Sequence, residues 1–327
     1  MENTANTPFV DFGDVLRYYR TRNGLSQEQL AEGICAREYV GLLEKNKKIP
    51  TIYMISAFSS KMGVNLFDAY ALIIEHNDFD THKKIEAMDE AIKAKDIDRL
   101  YELAKEYSTL PGFSDGIPRQ CISHALSLYY SNALADYEKS VEYATEGLAV
   151  SGVPGADMAP TPVLSITDLC LLLVKSVNLC RTDRLEEGRK YFEYLRECTR
   201  LRFTQNRYIA NRNRRFDINL FALTTYNICE FFPDDTESNL KLLEESIRIL
   251  NDYDCSSMQP ELLLYRARYL YDTGNTDRAY DSFNAGYYLM ACQDSREEAD
   301  ESAREILGER LARLNPQAYR TEYLKEA

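Results

Sequence analysis

The sequence predicts an all-α protein in which five short N-terminal helices are followed by a long α-solenoid. Two observations carry that reading. Between Gly24 and Pro50, two short segments with helical apolar spacing are joined by a tight turn at Gly33. From Thr81 onward the helical spacing continues, with breaks near Asp96, Pro111 to Pro118, Ala135, Gly152 to Pro162, Thr182, Thr204, Pro233, Cys255 and Gly274. Such intervals suit paired antiparallel helices of about 13 to 20 residues.

The first helix is expected from about Asp11 to Arg22, with Phe12, Val15, Leu16 and Tyr19 inward and Arg17, Arg20 and Arg22 outward. Gly24 supplies the left-handed residue that ends it. Ser26, followed by Glu28 and Gln29, caps the second helix, because a hydroxyl there can accept from the first turn while a side chain reaches back. Leu30 and Ala31 form its apolar face, and Gly33 permits the close turn. After Cys35 a third helix turns Val40 and Leu43 inward and leaves Arg37, Glu38, Gly41 and Leu42 on or near the exposed side. This is a helix-turn-helix, whose second helix enters a DNA major groove and is read from its N-terminal turn. Lys45 to Pro50 closes it with a basic loop. Thr51 caps a fourth helix to about Met62, and Gly63 and Asn65 separate it from a fifth that carries Leu66 and Phe67 toward Glu75.

The expected organisation is therefore a DNA-binding domain over 1–75, a polar linker over 76–80 and a repeat domain over 81–327. Charge agrees with that division. Residues 1–75 hold 8 basic and 9 acidic side chains, and the rest hold 31 and 43 of the totals of 39 and 52. Most of the chain would repel nucleic acid, so only the N-terminal segment can approach a phosphate backbone. Hydrophobic content of 45% without a low-complexity tract argues against disorder.

Two stretches of the repeat region superimpose. Leu263, Ala267, Leu270, Ala279, Phe283 and Gly286 fall at the offsets of Leu172, Ser176, Leu179, Gly188, Phe192 and Leu195. Small residues stand where helices cross and large ones where they fill, which resembles the tetratricopeptide pattern. Other pairs, such as Leu128 with Ser140 and Ala144, fit it poorly, so the repeats are degenerate and number five or six pairs.

Leu30 to Val40, followed by Leu43-Glu44-Lys45-Asn46, resembles the XRE class of helix-turn-helix domains. The short Gly33-Ile34-Cys35 turn is similar to that of the peptide-responsive RRNPP regulators of Gram-positive bacteria, which include the PlcR and Rgg types. The resemblance implies a cytoplasmic homodimeric transcription regulator that binds double-stranded operator DNA. Its repeats would bind a short signalling peptide in their concave groove, as in quorum sensing. The alternative is a DNA-binding regulator whose repeats dock a protein partner. A non-DNA scaffold with a vestigial N-terminal domain is a third reading. Two positions depart from the family: Ala36 stands where Ser or Thr usually caps the recognition helix, and Leu42 where a polar base-reading residue is common.

Base readout then rests on Arg37, which can pair bidentately with guanine, and Glu38, which can accept from cytosine, with Leu42 against a thymine methyl. Gln27 would clamp a phosphate from the start of the second helix, and Tyr39, Lys45, Lys47 and Lys48 would hold the backbone. For the peptide, two helical stripes present themselves: Thr167, Leu171, Lys175 and Asn178, then Asn219, Leu223, Tyr226 and Asn227. Asparagine suits the task because its amide both donates to and accepts from a peptide unit. Arg214 and Arg215, in the basic cluster beginning at Asn211, could receive a peptide carboxylate.

Other chemistry is not indicated. The eight cysteines, at 35, 121, 170, 180, 198, 229, 255 and 292, stand singly, as small hydrophobes in a reducing compartment. His76, His82 and His124 form no metal-ligand pair, and no phosphate loop, nucleophile elbow or Cys/His grouping points to an enzyme, a metal or a cofactor. Met1 to Phe9 has no secretory pattern. Leu169 to Val174, the most apolar run, is too short to span a bilayer.

Overall fold

The computed structural model describes residues 12–67, 79–153, 159–205 and 211–314. Among them every regular element is helical. The chain divides into two compact units, Met1–Ala133 and Leu134–Ala327.

The first unit begins with α1 (Phe12–Arg22), α2 (Gln27–Ala31), α3 (Arg37–Leu43) and α4 (Ile52–Met62). Phe12, Val15, Leu16, Leu30, Val40, Leu43, Phe58 and Leu66 are buried in one core. Ser26 starts α2 with a complete capping box, its Oγ accepting from Gln29 N at 3.0 Å and Gln29 Oε1 accepting from Ser26 N at 2.8 Å. Thr51 caps α4 by accepting from Met54 N at 3.2 Å. Gly33 takes φ +77°, a left-handed conformation that a side chain would strain. Gly13 lets α1 meet the end of α3, since a Cβ there would lie 2.3 Å from Leu43 O. The fifth helix expected beyond Leu66 and Phe67 lies mostly outside the described residues, as do most of the linker and His76.

Next come α5 (Phe79–Lys93), α6 (Ile97–Tyr107) and α7 (Gly116–Asn132), which share a core of Ile85, Met88, Leu100, Leu103, Phe113 and Ile122. Within this unit α1 is tied to α5. Tyr19 Oη and His82 Nε2 lie 2.7 Å apart in a buried contact, Tyr18 Oη donates to Glu86 at 3.3 Å, and Arg22 pairs with Glu86 and Glu90. The expectation that Arg20 faces outward is corrected, since its side chain turns to Glu44, whereas Arg22 is exposed as expected and pairs with carboxylates of α5.

The second unit holds α8 (Tyr137–Val150), α9 (Ile166–Arg181), α10 (Leu185–Gln205), α11 (Asn211–Phe231), α12 (Thr236–Asp252), α13 (Gln259–Asp272) and α14 (Thr276–Gln293). Each packs on its neighbour in sequence. The superimposed positions are the ones that pack: Leu172, Ser176, Leu179, Phe192 and Leu195 in α9 and α10, and Leu263, Ala267, Leu270, Ala279 and Phe283 in α13 and α14, are all buried. Gly188 lets α10 close on α9, because a Cβ there would meet Cys180 Sγ at 2.4 Å and Ser176 O at 3.0 Å. The C-terminal helix expected from Ser295 to Leu314 is broken. It divides into α15 (Arg296–Leu307), a 3-10 turn (Gly308–Arg310) and α16 (Leu311–Leu314), with Gly308 at φ +54°. No described helix is long and apolar enough to cross a membrane.

Candidate functional site

The geometry of α3 is set by its buried side. Val40 and Leu43 have no exposed surface, and the following residue, Glu44, is 3% exposed despite its charge. Arg20 Nε donates to Glu44 Oε1 at 2.5 Å and Arg20 Nη2 to Oε2 at 3.1 Å, while Gln27 Nε2 donates to Oε2 at 2.8 Å. Arg17 Nη2 adds a bond to the Glu44 carbonyl at 3.1 Å. One carboxylate therefore fastens α1, α2 and the end of α3 together. Burial alone would raise the Glu44 pKa, but the bonds from Arg20 and Gln27 and the charges of Arg20 and Arg17 outweigh it and hold the group below its ordinary value.

With the inner side locked, the first turn of α3 projects outward. Ala36 is extended at φ −72° and ψ 147° and makes no side-chain cap bond, so the N-terminal N–H groups of α3 lack that partner. Arg37 and Glu38 are exposed, Leu42 is half-buried, and Lys45, Lys47 and Lys48 are exposed on the loop after the helix. Tyr39 is half-buried, its hydroxyl donating to Ile49 O at 3.4 Å. Arg37 and Glu38 are thus accessible at the start of α3 and the three lysines beyond its end. Gln27 is half-buried, and its amide nitrogen is bonded to Glu44, which orients α2 against α3. Sequence inspection missed Glu44 because its partners are 24 and 17 residues away and no local spacing announces them.

The repeat-domain candidates separate into two layers. Asn178 is 1% exposed and its Nδ2 donates to Ser140 Oγ of α8 at 2.8 Å, so it is a helix-packing residue rather than a groove residue. This corrects the expected stripe on α9 in part: Leu171 and Asn178 face the interior, because α9 lies between α8 and α10, whereas Lys175 lines a groove between α8 and α10. Lys175 is 7% exposed and its Nζ stands 4.5 Å from the centre of the Tyr191 ring of α10. Of the α11 candidates, Tyr226 meets α13. Tyr226 packs edge-on against Tyr265 at 5.4 Å, and Tyr265 donates to Glu230. Burial, with the nearby charges of Glu230, Glu305 and Glu261, raises the Tyr226 pKa. Asn227 Nδ2 donates to Leu223 O of its own helix at 2.8 Å, and Asn219 Oδ1 accepts from Ser257 Oγ at 2.9 Å. Arg214 is half-buried and Arg215 exposed at the start of the same helix.

No group of three or more potential metal ligands occurs among the described residues. Cys180, Cys198, Cys229 and Cys255 are buried, and burial pushes the Cys180 thiol up to about 11 and the Cys229 thiol to about 12, far from a reactive thiolate.

Residues 16–68 match the helix-turn-helix family model. No curated protein matches the chain by sequence. Among solved structures, the chain is similar to PlcR of Bacillus thuringiensis in complex with the peptide PapR7 and DNA, at 14% identity and TM-score 0.54, over 89% of this chain and 99% of that one. Apo PlcR from the same organism matches at 13% identity and TM-score 0.50, over 91% and 99%. A transcriptional regulator of Listeria monocytogenes EGD-e matches at 12% identity and TM-score 0.55, over 93% and 98%. The N-terminal segment is thus a helix-turn-helix domain, and the chain as a whole has the fold of PlcR, with that domain followed by helical repeats.

Proposed function

We propose that this chain is a sequence-specific DNA-binding transcription regulator controlled by a short signalling peptide that its repeat domain binds. The observation that carries the DNA reading is the exposed first turn of α3, with Arg37 and Glu38 accessible on a helix whose other side is locked by Glu44. Lys45, Lys47 and Lys48 would neutralise phosphates beside them, and such contacts position a protein while the base contacts specify sequence. Roles divide in this reading between 1–75, which reads the operator, and 81–327, which receives the peptide.

The peptide reading is supported by the shared fold with PlcR, which has been crystallised with a peptide and DNA. The α11–α13 face is its candidate seat, where Tyr226, Asn227 and Asn219 offer polar atoms and Arg214 and Arg215 offer cationic ones. A homodimer in the cytoplasm is the assembly that suits a two-half-site operator. The peptide would act through different affinities for the DNA-competent and DNA-incompetent arrangements, since equal affinity shifts nothing.

The test is binding to DNA upstream of the protein's own gene at two salt concentrations, with and without peptides from a neighbouring small open reading frame. Salt-sensitive binding that one peptide shifts supports the whole reading. DNA binding indifferent to every peptide would favour a protein-docking repeat domain. No DNA binding at all would overturn the reading.

A further inference from the structure

Among Lys45, Lys47 and Lys48 stands Asn46, an exposed residue to which the DNA reading gives no part. It occupies the left-handed region at φ +52°, which asparagine tolerates better than most side chains. Two backbone bonds hold the turn at the end of α3: Asn46 N donates to Leu43 O and Lys47 N to Leu42 O, each at 2.9 Å. The Asn46 side chain reaches 33 residues back along the chain, where its Oδ1 accepts from Gly13 N at 2.7 Å. Gly13 lies in the first turn of α1, whose N–H groups have no acceptor within their own helix. The contact needs a glycine at 13, because a Cβ there would stand 2.6 Å from Asn46 Oδ1.

Gly13 thereby fixes which way the amide faces. A backbone N–H can only donate, so the atom against it is the carbonyl oxygen, and the NH2 group is turned to the other side of the amide. Nδ2 bonds to nothing among the described residues, and the residue is exposed. Its surroundings suit an anion. Residues 45–61 contain four lysines and no acidic residue in a chain of net charge −13, and the preceding carboxylate, Glu44, is buried against Arg20. An amide already held in one orientation also loses less side-chain freedom on binding than a lysine does.

We propose that Asn46 is a phosphate-binding residue of the DNA surface, its amide oriented by Gly13 so that Nδ2 donates to a backbone phosphate beside those neutralised by Lys45 and Lys47. This rests on the DNA reading and adds to it an uncharged contact without sequence preference.

The experiment follows the fluorescence anisotropy of a labelled duplex of arbitrary sequence, titrated with the full chain over a salt series. The unaltered protein is compared with Asn46→Gly, Asn46→Asp and Lys47→Ala, below the melting transition of every variant. Glycine keeps the left-handed backbone and removes the amide. Asn46→Gly should therefore bind about three- to tenfold more weakly at every salt concentration, with the slope of log affinity against log salt unchanged, because a neutral donor releases no counterion. Lys47→Ala should instead flatten that slope by about 0.9. Asn46→Asp keeps the acceptor for Gly13 but puts a charged oxygen where the NH2 was, so it should bind more weakly than Asn46→Gly. If Asn46 merely held the lysine loop in place, Asn46→Gly would flatten the slope as Lys47→Ala does. That result, an affinity of Asn46→Gly equal to the parent's, or unimpaired binding by Asn46→Asp would each overturn the proposal. Failure of the unaltered chain to bind any duplex would sink the DNA reading itself, and this proposal with it.

Discussion

Arg20 and Glu44 meet through two parallel bonds, Nε to Oε1 at 2.5 Å and Nη2 to Oε2 at 3.1 Å, with the side chains only 13% and 1% exposed. This fork joins the first helix to the end of the recognition helix. Removing one partner strands the other charge, at a cost of about 3–5 kcal/mol for a buried pair. Arg20→Ala and Glu44→Ala should each lower the urea midpoint strongly, whereas Arg20→Met/Glu44→Leu should recover much of the loss. A single variant as stable as the parent would show that the fork does not hold α3.

DNA recognition offers a contrast between two kinds of side chain on neighbouring exposed positions. Arg37→Ala should cost about 1–3 kcal/mol on the operator and relax preference at one base pair. Lys47→Ala should weaken all sequences alike and reduce the salt slope by roughly one phosphate contact. Binding isotherms over a salt series, on operator and mutated operator, distinguish the two patterns.

Close helix approach in the repeats is testable at Gly188. A methyl there would sit 2.4 Å from Cys180 Sγ, so Gly188→Ala should destabilise by about 1–3 kcal/mol through overpacking. Since a sulfur atom is the nearest obstacle, Gly188→Ala/Cys180→Ala should recover part of the stability in denaturant melts.

Stability should fall on mild acidification. Burial pushes His124 down from 6.5 to about 4, so the folded chain resists a proton that the unfolded chain accepts. That contribution is complete above 6.5 and is lost as pH falls toward 4. Glu44 acts in the same direction lower down, being below its ordinary 4.5 in the folded state, so its contribution disappears as pH drops through the folded value. His124→Asn should flatten the melting temperature between pH 6.5 and 4 and leave the steeper loss below that range.

The missing cap at Ala36 predicts a gain. Ala36→Ser supplies a hydroxyl for the first turn of α3 and should stabilise the protein by about 1 kcal/mol, as read by thermal melting.

What the chain order alone determined is local. Ser26 with Gln29, Thr51 and Gly33 declare the starts and turns of α2 to α4, because capping and left-handed geometry depend on residues within a few positions. The matched positions from Leu172 to Leu195 and from Leu263 to Gly286 likewise announced packed helix pairs, since a buried stripe recurs at helical spacing. Tertiary structure decided which polar side chains remained available. Asn178 looked like a ligand residue on its helix and is consumed by Ser140, and Gln27 is bonded to Glu44. Lys175, on the same stripe as Asn178, instead lines an open groove. Helical spacing tells which residues share a face, but which neighbour covers that face depends on contacts far apart in sequence.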